Sequence, residues 1–145
     1  MRHETIDKRR IKKVAVLGSG VMGSRIACHF ANIGVEVLLL DIVPRELTPQ
    51  EEAKGLTLES KAVRNRIVNQ SLDTAIKTNP SPVFSKRTVK LITTGNFDDD
   101  MAAIASADWV IEVVVERLDV KKQVFDRVEQ HRKAGTLVTS NTSGI

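Results

Sequence analysis

An apolar run that breaks into three spaced glycines constrains the fold of this chain more than any other feature. Residues 14–17 are Val-Ala-Val-Leu, and Gly18, Gly20 and Gly23 follow them. At a strand-to-helix turn, the first glycine allows a sharp bend, the second lets the backbone approach a pyrophosphate, and the third lets the helix lie close to the strand. The helix also points its unpaired N–H groups and the positive end of its dipole at the phosphates. An ordinary glycine-rich turn can have the same spacing, so the flanking sequence has to decide between the two interpretations.

The sequence after the glycines indicates a βαβ unit. Ile26 and Phe30 recur at helical spacing, and Gly34 is a typical helix stop. A second apolar run at residues 35–40 predicts a buried strand of the parallel kind, which ends at Asp41. Dinucleotide-binding folds place a carboxylate about 20 residues beyond the glycines, where it accepts hydrogen bonds from the adenosine ribose. Because this charge repels the 2′-phosphate of NADP, Asp41 favours NAD as the cofactor.

The composition is that of one globular domain, with 145 residues of which 41% are hydrophobic. No stretch approaches the roughly 18 apolar residues of a membrane span, and residues 1–10 lack the apolar core of a signal peptide. We therefore expect a cytoplasmic protein with a basic leader at residues 1–10 and a single domain at residues 11–145. Nucleic acid is not an expected partner, because an aromatic content of 3% offers few stacking platforms.

The segment that follows Asp41 is longer than one crossover helix requires, which indicates a helical insertion. Thr48 and Glu51 form a predicted capping box for a short helix that stops near Gly55. A longer amphipathic helix is predicted over residues 57–77. We interpret it as a packing helix with a solvated basic face, in preference to a dedicated anion-binding face. The basic side chains outside its apolar stripe are Lys61, Arg64, Arg66 and Lys77.

The rest of the chain predicts an α/β fold. Further strands are expected at residues 89–94, 109–115 and 136–139, and the helices between them are predicted to be capped by Asp98 and Asp119. Strands that alternate with helices through right-handed crossovers give a Rossmann-type doubly wound parallel sheet of order 3-2-1-4-5. The helical insertion lies between strands 2 and 3 of this sheet.

A ligand cleft is expected beyond the carboxyl ends of these strands, at the switch point between strands 1 and 4. The glycine turn, Asp41, Glu116 and residues 140–142 should converge there.

Three blocks of the sequence resemble a known family. They are residues 18–27, residues 110–122 and the run Ser140-Asn141-Thr142-Ser143. In this order and spacing they are similar to the NAD-binding domain of 3-hydroxyacyl-CoA dehydrogenases, over residues 11–145. The similarity is greatest to the long enzymes of fatty-acid β-oxidation that join this dehydrogenase to an enoyl-CoA hydratase. It implies the NAD-dependent oxidation of an L-3-hydroxyacyl-CoA to the 3-ketoacyl-CoA.

The resemblance also implies roles for individual residues. The glycine turn holds the pyrophosphate and Asp41 the adenosine ribose, while Glu116 and Lys121 lie on the nicotinamide side. Ser140 contacts both cofactor and substrate, Asn141 contacts the substrate, and the insertion helps to hold coenzyme A. No metal ligand is implied. The implied cofactor-binding residues are Gly18, Ser19, Gly20, Val21, Met22, Gly23, Asp41, Glu116, Lys121 and Ser140.

The general base of the family is not expected in this chain. It is a histidine assisted by a glutamate, and both follow a further strand that comes after Ile145. His3, His29 and His131 do not match that motif. The helical C-terminal domain, which commonly forms a homodimer, is also expected beyond this point. As a fragment truncated after strand 5, the chain is predicted to bind NAD weakly and to be inactive alone.

Two other functions stay open. A short β-hydroxyacid dehydrogenase also carries Met before its last glycine, although the insertion and Asp41 disfavour it. A non-catalytic NAD-binding module is the second alternative. A longer reading frame with a histidine soon after the next strand would separate catalytic from non-catalytic proteins.

Overall fold

The fold is a five-stranded parallel sheet of order β3-β2-β1-β4-β5, seen in a computed structural model that describes residues 11–78, 85–113 and 118–140. This confirms the predicted architecture, including the insertion between β2 and β3. Within the described residues, no helix has both the length and the apolar character needed to cross a bilayer. The strands are β1 Lys13–Leu17, β2 Glu36–Asp41, β3 Ile92–Asn96, β4 Trp109–Glu112 and β5 Leu137–Ser140. The helices are α1 Val21–Asn32, α2 Pro49–Ala53, α3 Lys61–Arg64, α4 Arg66–Ile76, α5 Lys86–Val89, a 3₁₀ helix Met101–Ser106 and α6 Leu118–His131.

Strand β1 lies at the centre of the sheet because its side chains are apolar on both faces. It pairs in parallel with β2 on one side and with β4 on the other. Val14 and Val16 face a core that includes α1 and α4, while Ala15 and Leu17 face a core that includes the 3₁₀ helix and α6. All four side chains are completely buried. A strand buried on both faces has a continuous apolar sequence, which is the pattern that residues 14–17 show.

Helix α1 connects β1 to β2 and ends as the sequence predicts. Gly34 has a φ of 87°, in the left-handed region that favours glycine after a helix. Cys28 is buried on the inner face of α1, and this burial raises the pKa of its thiol. The side chain therefore behaves as a small apolar core residue.

The insertion confirms one predicted helix start and corrects the length of another helix. The capping box of α2 is present, with Thr48 N donating to Glu51 Oε1 at 2.8 Å and Glu51 N donating to Thr48 Oγ1 at 3.2 Å. The single helix predicted over residues 57–77 is wrong, because α3 and α4 are separated at Asn65. The buried Asn65 side chain accepts a hydrogen bond of 2.7 Å from Asn96 Nδ2. This tertiary contact holds the break in place.

Two of the predicted helix caps are also wrong. The 3₁₀ helix begins after Asp100, because the Asp98 carboxylate instead accepts a hydrogen bond from Arg127 at 2.8 Å. Helix α6 begins at Leu118, so Asp119 lies inside the helix.

The third and fourth strands are shorter than predicted. Val89 ends α5, and β3 starts only at Ile92. Strand β4 ends at Glu112, whereas the prediction extended to residue 115; residues 114 and 115 lie outside the described part.

Asp108 connects three strands at the amino edge of the sheet. Its carboxylate accepts hydrogen bonds from the backbone N–H groups of Lys12 and Lys13, at 2.9 and 3.1 Å, and from Lys133 Nζ at 2.8 Å. Its backbone N–H donates to the carbonyl of Lys13, and its carbonyl accepts from Leu137. The ammonium of Lys133, followed by the two backbone donors, holds the pKa of Asp108 below its ordinary value.

We predict that Asp108→Asn lowers the free energy of unfolding at pH 7 by about 1–2 kcal/mol, through loss of charge-assisted hydrogen bonds. A depressed pKa in the folded state stabilises the protein above the unfolded pKa of about 4, and this contribution is lost as the pH falls through the lower folded value. Urea unfolding at several pH values should therefore show the two proteins converging in acid. Asp126→Asn is the matched control, because Asp126 is exposed and has no ion pair among the described residues. A difference that persists unchanged at low pH would contradict the role of this charge.

Candidate nucleotide-binding site

The carboxyl ends of three strands bring predicted site residues to one edge of the sheet. Gly18 follows β1, Asp41 ends β2 and Ser140 ends β5. In the register of the sheet, Leu17 pairs with Leu40 on one side and with Glu112 on the other, and Glu112 pairs with Ser140. The topology therefore places the glycine turn between Asp41 and Ser140, as expected at a switch point.

The fold requires two of the three glycines for its own geometry. Gly18 has a φ of 115°, and its N–H donates to the Leu40 carbonyl at 2.7 Å. A Cβ added at Gly23 would lie 1.8 Å from the carbonyl oxygen of Gly18, so only glycine permits the close approach of α1 to the turn. A Cβ at Gly20, in contrast, would meet no atom of the described residues within 4 Å.

A glycine at position 20 is therefore explained better by the binding of a ligand than by the packing of the fold. It is the N-cap residue of α1, and no side chain caps the helix at this end. Its φ of −57° is accessible to any residue. Open space above a helix N-terminus is the arrangement in which backbone N–H groups bind a phosphate.

Asp41 is bonded directly to the glycine turn. Its Oδ2 accepts hydrogen bonds from the backbone N–H of Ser19 at 2.8 Å and from Ser19 Oγ at 2.5 Å, and its Oδ1 accepts from the N–H of Ile42 at 2.7 Å. Ser24 Oγ in turn donates to the Ser19 carbonyl at 2.6 Å. The sequence analysis gave Asp41 and Ser19 separate contacts with a cofactor and missed the bond between them, for which no sequence pattern exists.

An apolar groove of about 810 Å³ extends from the glycine turn along α1 and over β4 and β5. At the end beside the glycine turn, Val21 and Met22 are 76% and 49% exposed. Its floor includes Trp109, whose ring meets Phe30 edge-on at 5.5 Å and whose Nε1 donates to Thr139 Oγ1 at 3.0 Å. The glycine turn, which is suited to an anion, therefore lies next to an apolar groove that is suited to a planar ring of a ligand.

Glu112 is a site residue that the sequence analysis did not identify. It is 0% exposed at the carboxyl end of β4, and its Oε1 accepts a hydrogen bond of 2.9 Å from Ser140 Oγ. A buried carboxylate at a ligand-binding edge is a typical functional group. In the sequence, Glu112 lies within an apolar strand and has no pattern that marks it as functional. Its position is distinguished only by the sheet register, which pairs it with Ser140.

Three predicted site residues are not placed. Glu116 and Asn141 lie outside the described residues, and Lys121 belongs to α6 although its side chain is not described. Their roles stay predictions. In the described part of the chain, no group of three or more His, Cys, Asp or Glu side chains is arranged to hold a metal ion.

Three of the four basic side chains in the insertion are engaged within the protein. Arg64 Nε donates to Asp99 Oδ2 at 2.7 Å, and this hydrogen bond raises the pKa of Arg64 and lowers that of Asp99. Arg66 pairs with Glu51, and Lys77 pairs with Asp73 at 2.9 Å. Lys61 is exposed and has no ion pair among the described residues. These contacts favour the interpretation of a packing segment.

Comparison with known proteins identifies the domain type. Residues 13–145 match the family model described as the NAD binding domain of 3-hydroxyacyl-CoA dehydrogenase. A probable 3-hydroxyacyl-CoA dehydrogenase of Bacillus subtilis strain 168 is 56% identical over 137 residues, which are 94% of this chain and 17% of that protein. A putative fatty acid oxidation complex trifunctional enzyme of Rickettsia felis is 36% identical, over 95% of this chain and 17% of that protein.

A solved structure gives the same result for the fold. The 3-hydroxybutyryl-CoA dehydrogenase of Escherichia coli K12 superposes with a TM-score of 0.58 at 32% identity, covering 94% of this chain and 25% of that one. The chain therefore spans only a minor part of the relatives it matches.

We predict opposite effects for the same substitution at two glycines. Gly23→Ala forces a Cβ against a backbone carbonyl and should destabilise the protein by about 3 kcal/mol. Gly20→Ala should change stability by less than about 1 kcal/mol but weaken NAD binding at least about tenfold, since the methyl group occupies the pyrophosphate position. Thermal unfolding and calorimetric titration with NAD measure the two effects. Normal NAD binding by a folded Gly20→Ala protein would show that the glycine turn does not hold the pyrophosphate.

Proposed function

Because the chain belongs to the family of NAD-binding domains of 3-hydroxyacyl-CoA dehydrogenases, we propose that it supplies the cofactor site of an enzyme of fatty-acid β-oxidation. That enzyme oxidises an L-3-hydroxyacyl-CoA to the 3-ketoacyl-CoA and transfers the hydride to NAD. One observation of the site supports this best: the Asp41 carboxylate is bonded to a glycine turn whose Gly20 faces open space.

The proposed cofactor position follows the edge of the sheet. The pyrophosphate lies over Gly18–Gly23, where the N-terminus of α1 stabilises its charge. The adenosine ribose lies against Asp41, at the end of β2. The nicotinamide extends in the opposite direction, past Met22 towards Ser140 and the apolar groove, with Glu116 and Lys121 on the same side.

NAD, when bound, accepts the hydride, and the residues of this chain bind the cofactor and orient the reacting groups. Ser140 Oγ donates a hydrogen bond to Glu112 Oε1 at 2.9 Å, and a serine hydroxyl can accept a hydrogen bond as well as donate one. We propose that Ser140 thereby orients the substrate hydroxyl or the nicotinamide carboxamide, with Asn141 beside the substrate. Glu112 holds Ser140 in this state from its buried position.

We assign no residue of this chain as the general base. His29 lines the apolar groove at the end away from the glycine turn, because it adjoins Phe30, whose ring meets Trp109 at the start of β4. It lies eight residues beyond Val21, or about 12 Å along the axis of α1 from the strand ends where the cofactor is proposed to bind. A general base must lie within about 3 Å of the hydroxyl proton it removes. We propose that proton abstraction belongs to a histidine in the part of the longer protein that this chain does not include.

We also propose how the remaining partners bind. Lys61 is the basic residue of the insertion best suited to a phosphate of coenzyme A, because Arg64, Arg66 and Lys77 are in ion pairs. The full-length protein is proposed to be a homodimer in the cytoplasm, with a 3-hydroxyacyl-CoA substrate and no nucleic-acid partner.

We predict that NAD binds about ten to a hundred times more tightly than NADP, because charge repulsion of the 2′-phosphate by Asp41 costs about 1–3 kcal/mol. Calorimetric titration of the chain with each nucleotide measures the ratio. Asp41→Asn is the matched variant, which removes the charge at nearly constant volume and should bring the two affinities together. Equal affinities in the unaltered protein would contradict the role of Asp41 in selecting NAD. Arg45, four residues beyond Asp41, would produce that result if it paired with the 2′-phosphate of NADP.

We also predict that the chain binds NAD without turnover. NADH absorbance would be followed after mixing NAD and a short 3-hydroxyacyl-CoA with this chain, and with a protein extended through the following strand and helical domain. Only the extended protein should produce NADH. Comparable rates would place the general base within residues 1–145, and inactivity of both would favour a non-catalytic NAD-binding module.

A further inference from the structure

The Asp41 carboxylate has fewer free acceptor positions than a carboxylate at the end of a strand usually has. An ionised carboxylate offers about four lone-pair sites on its two oxygens. Two donors from Ser19 occupy Oδ2, and the N–H of Ile42 occupies one site on Oδ1. Among the described residues no further donor contacts this carboxylate, so one acceptor site remains, and it is on Oδ1.

The orientation of this carboxylate depends on the side chain of Ser19. Asp41 is half-buried, so its carboxylate could rotate towards water if nothing held it. Ser19 is completely buried, and its hydroxyl and its backbone N–H both donate to the same oxygen. Two donors from one residue fix the carboxylate plane in a way that a single donor does not, and hydrogen bonds to a charged acceptor are among the stronger ones.

The backbone of the turn is held by other contacts. Gly18 N donates to the Leu40 carbonyl at 2.7 Å, Ser24 Oγ donates to the Ser19 carbonyl at 2.6 Å, and Ser24 N donates to the Gly20 carbonyl at 2.9 Å. These bonds remain if only the hydroxyl of Ser19 is removed. The Ser19 hydroxyl is thus bonded to the site residue and is not needed to shape the turn.

We propose that Ser19 is a positioning residue whose hydroxyl locks the Asp41 carboxylate so that Oδ1 accepts the 2′-hydroxyl of the adenosine ribose. This rests on the proposed cofactor function. The role differs from a direct contact between the turn and the pyrophosphate, because Ser19 acts through Asp41. It makes Ser19, together with Asp41, a determinant of the preference for an unmodified ribose.

The test compares two cofactors in Ser19→Ala. Calorimetric titrations of the full chain would use NAD and an NAD analogue that lacks the 2′-hydroxyl of the adenosine ribose. The unaltered protein should prefer NAD, and Ser19→Ala should lose about three- to tenfold in NAD affinity while binding the analogue almost unchanged. The ratio of the two affinities is a readout that a merely structural role of Ser19 would not move.

Three further variants complete the experiment. Ser24→Ala removes the buried hydroxyl that holds the Ser19 carbonyl and does not contact Asp41. A loosened turn should weaken NAD and the analogue equally, so the ratio of affinities should stay unchanged. Ser106→Ala is a matched exposed control at the opposite edge of the sheet, where Ser106 contacts Lys13. Should Ser19→Ala not fold, as judged by its thermal unfolding, Ser19→Cys keeps a side chain of similar size with a poor donor and should show the same loss of preference.

The outcomes separate the proposal from the function on which it rests. If the unaltered chain binds no NAD, or if Asp41→Asn has no effect on NAD affinity, the cofactor function fails. If Asp41→Asn weakens NAD binding but Ser19→Ala binds NAD as tightly as the unaltered protein, or weakens both ligands equally, the positioning role of Ser19 is wrong and the cofactor function stands.

Discussion

The site depends on the connection between the turn after β1 and the end of β2. The Gly18 N–H donates to the carbonyl of Leu40. The N–H and the hydroxyl of Ser19 both donate to the carboxylate of Asp41, which follows Leu40 in the chain. These bonds join the N-terminal end of α1 to the carboxylate that we propose selects the ribose. Without them the sheet could still form, since the strands pair along their whole length, but the two halves of an adenosine diphosphate site would not be held at a fixed distance.

The rest of the fold supplies the rigidity that this connection needs. Strand β1 is buried on both faces, so the turn that follows it starts from a fixed point. The close approach of α1, which Gly23 permits, aims the helix N-terminus at the same position. On the other side of β1, the buried Glu112 holds Ser140 at the end of β5. The site is therefore built at strand ends, and among the three glycines of the turn Gly20 is the one that the fold does not require.

The sheet order and the cofactor turn could be predicted from the sequence because they depend on local patterns. The apolar runs, the three glycines and the position of Asp41 contain that information without any knowledge of distant contacts. The capping box at Thr48 was predicted for the same reason, since both of its bonds are made within three residues.

Two of the wrong predictions and two missed contacts fall where a bond between distant residues decided the outcome. The helix over residues 57–77 breaks at Asn65 because of a bond to Asn96, and Asp98 fails to cap a helix because Arg127 binds it. The Ser19–Asp41 and Ser140–Glu112 bonds were missed in the same way. Each links residues more than 20 positions apart in the sequence, and no local pattern encodes them.

The contacts of the adenosine ribose can be seen directly in a crystal structure of this chain with NAD bound. We expect a ribose hydroxyl within about 3 Å of Asp41 Oδ1, the pyrophosphate over the backbone of Gly20, and the Ser19 hydroxyl still bonded to Oδ2. An adenosine half that lies in the apolar groove beside Trp109, with no contact to Asp41, would contradict this expectation.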